Sequence, residues 1–229
     1  MAVVTAILLV APAVFVLALL IGLRVIPAQH LSAANPTLTW PLLAAQMLSY
    51  LPAIALLLAV LPVIARRPLS ALGFRAPRPI DLVWGLCGAV AMILIATGVG
   101  ALQESFFHLK TDEVQVEYLR NARGSLVGGF VALACVAAPF SEELVFRGFL
   151  FNAILRYVPA GGAMVLSALL FGAAHVEPGN LGAIAPLAAT GVVLAAVYYY
   201  SGSLVASMLT HGIFNLVTVV AVVVFHQKA

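Results

Sequence analysis

The residues of this chain that could do chemistry are few and sit in apolar surroundings. They are the adjacent carboxylates of Glu142 and Glu143, the guanidinium of Arg147, the imidazoles of His175 and His211, and the carboxamide of Asn215. Ionisable groups inside long apolar runs are costly and mark functional sites. Glu143 and Arg147 are spaced i, i+4 with the acid first, the favourable order for an ion pair on one helix. Glu142 points about 100° away from its neighbour and has no partner on its own helix. Arg147 therefore neutralises Glu143 and leaves Glu142 free. His211 and Asn215 are also spaced i, i+4 and face one way. A carboxylate in an apolar site makes a good general base. A neutral histidine can donate to or accept from the same water, and a His–Asn pair can stabilise an oxyanion. Together these groups suit the attack of water on a peptide carbonyl.

Three helices must bring them to one depth. Glu142 lies 17 residues before Pro159 and His175 lies 16 after it. An antiparallel hairpin would put both roughly 25 Å from its turn, whereas His211 is about 13 Å beyond the turn at Gly202. A helix over 125–157 is about 50 Å long, about 20 Å more than the hydrocarbon core, so a hairpin tip projecting into water would level all three.

The rest of the chain reads as the scaffold for that arrangement. Of its 229 residues, 64% are hydrophobic and 8% charged. Soluble domains carry roughly 25% charged residues, and lipid admits only helices or closed barrels. The apolar runs are continuous rather than alternating, which predicts helices. They fall at 3–23, 41–65, 81–102, 125–157, 162–176, 183–200 and 204–225. The expected fold is all-α, a polytopic transmembrane bundle of about seven spanning helices, with six and eight as the neighbouring counts. It is read as one transmembrane domain over 1–229, with N-terminal helices in 1–103 and a catalytic helical core in 125–225. The first run is too long for a signal-peptide core and is expected to be retained. Segment 104–123 holds half of the acids and reads as interfacial and partly helical. Four arginines within 66–80 place that loop in the cytoplasm and the C-terminus outside; Arg24, Lys110, Arg120 and Arg123 oppose this. Trp40 and Tyr198-Tyr199-Tyr200 read as interfacial aromatics. His108 and His226 read as interfacial or exposed, Glu177 as a solvated turn residue, and Cys87 and Cys135 as small core residues. His30 in its loop carries no signal. The net charge of +3 gives no sign of a nucleic-acid partner.

The motifs resemble those of the CPBP intramembrane proteases, a family that includes type II CaaX prenyl endopeptidases and bacterial proteins linked to bacteriocin processing and immunity. E-E-x-x-x-R is Glu142-Glu143-Leu144-Val145-Phe146-Arg147, F-x-x-x-H is Phe171-Gly172-Ala173-Ala174-His175, and H-x-x-x-[N/D] is His211-Gly212-Ile213-Phe214-Asn215. The resemblance covers 142–215. It implies an intramembrane endopeptidase in which Glu142 activates water with help from His175, and His211 and Asn215 form the oxyanion site. Glu143, Arg147 and Phe171 support them. The implied partners are membrane lipid and a peptide or protein substrate, a prenylated tail among the choices. The implied location is a prokaryotic cell membrane, with a multi-pass integral protein. No cofactor is required by this reading, but Glu142, His175 and His211 could hold zinc, although H-E-x-x-H is missing. Two other classes compete: a non-catalytic membrane scaffold or immunity protein, and a proton-coupled transporter, since intramembrane Glu and His also form proton relays. The sequence shows no internal repeat of the kind transporters carry.

Overall fold

The computed structural model describes residues 37–55, 57–58, 68–109, 114–175 and 181–225. The apolar run at 3–23, Arg66 and Arg67, and His30, Glu177 and His226 lie outside them. Seven helices occupy the described residues: α1 (Trp40–Ala55), α2 (Pro79–Phe107), α3 (Val114–Asn121), α4 (Ser125–Ile154), α5 (Ala160–Ala174), α6 (Ile184–Ser201) and α7 (Leu204–Phe225). A short 3₁₀ turn at Leu69–Leu72 precedes α2, and no strand occurs among the described residues. Helices α2, α4, α6 and α7 are each long and apolar enough to cross a membrane, while α5 is apolar but shorter, at 15 residues. The protein is an integral membrane helical bundle.

Helix α2 shows how its start is fixed. Pro79 opens it, where the missing N–H costs nothing. Asp81 reaches back to accept the Arg78 N–H at 2.8 Å and is held by both terminal nitrogens of Arg75 at 2.9 and 2.5 Å. An acid at the edge of an apolar helix is thereby neutralised and fully bonded. At its far end α2 runs to Phe107, so the first part of the segment expected to be interfacial continues this helix. Its cap, His108, is exposed and left-handed, with φ 53°. Helix α3 then presents Tyr118, Leu119 and Ala122, just beyond its end, to the core, with Glu117 and Arg120 paired beside them.

The helices α2, α4, α5, α6 and α7 form the centre. Helix α6 packs against α5 and α2, and α7 packs against α2 and α4. One core gathers Leu144, Phe146, Phe151, Phe171, Ala195 and Leu204. A second joins α1, α3, α4 and α7 through Leu43, Tyr50, Leu119, Phe130 and Val219. Outward positions of α2 such as Leu86, Val90, Leu94 and Phe106 stay exposed, as expected of a lipid-facing surface.

Candidate active site

Helix α4 carries the acids, and its winding decides where they point. It contains two wide, π-type stretches, Leu133–Ala137 and Leu144–Phe151. Such stretches recur at functional sites because they offset side chains and free carbonyls. In the first, the Ala138 N–H donates to Leu133 O, five residues back. The next donor in that pattern would serve Ala134 O, but it is Pro139, which has no N–H. The orphaned oxygen is claimed from α7: Asn215 Nδ2 donates to Ala134 O at 2.7 Å. In the second stretch the carboxamide of Asn152 does the same service, donating to Arg147 O at 3.1 Å and Gly148 O at 2.8 Å.

Glu143 is fully buried and fully engaged. Arg147 Nη1 and His211 Nδ1 donate to its Oε1 at 2.9 and 3.0 Å, and the Ser207 hydroxyl donates to Oε2. The other terminal nitrogen of Arg147 donates to Gly191 O at 2.9 Å. Gly191 can present that carbonyl because α5 lies against it: a Cβ at 191 would sit 3.0 Å from the Ala168 Cα. Close helix contact through small residues is the usual way spanning helices associate. The guanidinium also lies 4.7 Å from the centre of the Phe171 ring, whose centroid is 4.6 Å from that of His175 and 6.0 Å from that of His211. Because Glu143 can only accept, Nδ1 of His211 carries the hydrogen. The neutral ring then offers Nε2 as an acceptor, and the imidazolium offers it as a donor.

Glu142 is placed differently. Its Oε2 lies 3.7 Å from His175 Nε2, and both side chains retain some exposure, 14% and 10%. That gap is too long for a direct hydrogen bond and leaves both groups open to a water on the cavity side. His175 closes α5, where its Nδ1 contacts Phe171 O at 2.8 Å, which turns Nε2 toward Glu142. Glu142, Phe171, His175, His211 and Asn215 line one cavity of about 150 Å³, room for several waters. Its other walls are mostly apolar.

The sequence-derived residues are thus all brought together, and the structure supplies bonding partners that spacing alone does not give. Asn215 does not bond His211; it holds α4, and His211 bonds Glu143. Gln103 Nε2 donates to Gly182 O at 2.7 Å and so anchors the chain leading from α5 into α6. Ser207, Gly191 and Gln103 were not singled out from sequence. Pro139, three residues before Glu142 in an apolar helix, is the signal that would have exposed the wide turn. Among the described residues no three His, Cys, Asp or Glu side chains gather to hold a metal ion.

Residues 124–217 match the family model described as type II CAAX prenyl endopeptidase Rce1-like. An uncharacterised protein of Mycoplasma capricolum subsp. capricolum is 30% identical over 95 residues, which are 41% of this chain and 27% of that relative. The similarity therefore spans about a quarter of that relative's length. No solved structure matches.

Proposed function

We propose, on the premise that residues 124–217 belong to the type II CAAX prenyl endopeptidase Rce1-like family, that this protein is an intramembrane endopeptidase driven by Glu142-activated water. The observation that carries the reading is the Glu142–His175 pair, 3.7 Å apart on a cavity shared with His211 and Asn215. A water bridging the two is polarised by His175 and gives one proton to the Glu142 carboxylate. Its oxygen forms the new bond to the substrate's carbonyl carbon. The resulting oxyanion is met by the second N–H of Asn215 and, when the ring is protonated, by Nε2–H of His211. Glu142 then passes its proton to the amide nitrogen, the C–N bond breaks, and an acid and an amine leave. The substrate is a peptide or protein reached from the membrane, a prenylated C-terminal tail among the candidates, and the setting is a prokaryotic cell membrane.

The proposed steps need no metal. The Nδ1 contacts of His211 with Glu143 and of His175 with Phe171 O leave both Nε2 atoms free to meet water, or to hold zinc together with Glu142 if one bound.

Glu142→Gln keeps size and hydrogen bonding but cannot take a proton. It is expected to fold normally and to lose about 10²-fold or more in cleavage per folded molecule. Near wild-type turnover in that variant sinks the peptidase mechanism and moves the scaffold and transporter readings ahead.

A further inference from the structure

The cavity has a polar group that the proposed hydrolysis does not use. Gln115, on the short helix α3, lines the same cavity as Glu142 and His175. Its Oε1 is buried and has no hydrogen-bond partner among the described residues. An unpaired buried acceptor is costly, and one beside a cavity calls for a donor that enters it. The helix does not need this carboxamide to stay in place. Tyr118, Leu119 and Ala122 anchor it in the core, and Glu117 pairs with Arg120. A methionine at 115 would fill similar space without stranding a polar atom.

We propose that Gln115 is a substrate-binding residue whose side-chain oxygen accepts a hydrogen bond from a backbone N–H of the bound peptide. This rests on the peptidase reading above. The missing partner must be a donor, because a carboxamide oxygen can only accept. An extended peptide whose scissile carbonyl meets His211 and Asn215 directs alternate N–H groups elsewhere. Each such N–H, once enclosed in an apolar cavity, needs an acceptor. Gln115 supplies one from an element that carries none of the hydrolytic groups.

The test uses the full-length protein in detergent and three forms: wild type, Gln115→Met and Gln115→Leu. A pool of quenched fluorescent seven-residue peptides identifies the best-cleaved sequence. That peptide is then remade with each non-scissile amide replaced in turn by an ester, which removes one N–H. Both variants should melt at or above the wild-type temperature, raise KM about 5- to 10-fold and leave kcat within about twofold. One ester analogue should lose about 5- to 10-fold in kcat/KM with wild type and less than about twofold with the variants. Lowered melting temperatures in both variants, or an ester penalty of equal size in all three proteins, overturns the role of Gln115 alone. Failure of the wild type to cleave any peptide in the pool overturns the peptidase reading and this proposal with it.

Discussion

Glu142 and Glu143 are consecutive residues with opposite circumstances. Glu143 has no exposed surface, two donors on one oxygen and one on the other. Glu142 borders a cavity and has a histidine near it but outside direct bonding range. One turn of about 100° on a helix separates them. The difference is what the proposed glutamate chemistry asks of an apolar bundle. The inner acid is saturated, so it is rigid and fixes Arg147, Ser207 and His211 on two helices. The outer acid is left short of partners, so a water can take the remaining place. The first network also fixes another wall of the cavity, because His211 and the α6 backbone are both held through Glu143 and Arg147.

The sharpest way to break that contrast is to empty the inner network. Arg147→Ala strands a buried carboxylate, a loss on the order of 3–5 kcal/mol. Folded yield in detergent should collapse and activity should vanish with it. Glu142→Gln, by comparison, should leave the melting temperature close to wild type while turnover falls. If Arg147→Ala is as stable as wild type, the network is not what holds these helices, and the two acids are not divided as described.

A smaller effect is expected where α7 meets α4. Gly212 follows His211, and a Cβ there would lie 2.6 Å from Cys135 O. Gly212→Ala must push α7 away, which costs about 1–3 kcal/mol and displaces His211 and Asn215 together. Displacements of that kind can lower turnover by an order of magnitude or more, so activity should fall further than stability. Gly128→Ala in α4 is the control, since nothing lies within 4 Å of a Cβ there. Equal behaviour of the two alanine variants, in melting and in cleavage rate, would show that the close approach does not position the site.

Much of this was legible in the chain, and the reasons are local. Hydropathy marks the spans because lipid forces helices of a set length: the runs expected at 183–200 and 204–225 are the helices Ile184–Ser201 and Leu204–Phe225. The i, i+4 spacing marks the Glu143–Arg147 pair because both ends are on one helix. The same rule says less about His211 and Asn215. It puts them on one face but does not make them partners. His211 finds Glu143 68 positions away, and Asn215 finds a carbonyl 81 positions away. Those pairings depend on how α4 winds around Pro139 and on how closely Gly212 lets α7 approach. Both are properties of tertiary packing, which no periodicity encodes. Gln115 was hidden for a related reason: V-Q-V-E-Y falls in the segment read as interfacial, and only the fold brings its glutamine to a cavity.

The mildest perturbation refines the contrast most. Ser207 donates to the Glu143 oxygen that Arg147 and His211 leave untouched. Ser207→Ala deletes that bond and adds no bulk. Because the other oxygen keeps both of its donors, the carboxylate stays neutralised and oriented. The expected cost is therefore about 1–2 kcal/mol of stability, with kcat/KM reduced only a few-fold and its pH profile unchanged in shape. The checks are thermal melting and cleavage rate across pH, measured beside Glu142→Gln. A Ser207→Ala protein that melts like wild type but loses turnover as heavily as Glu142→Gln would mean that the inner network takes part in the reaction itself. The proposed boundary between a saturated, positioning acid and an unsaturated, reacting one would then have to be redrawn to include Ser207 and Glu143 on the reacting side.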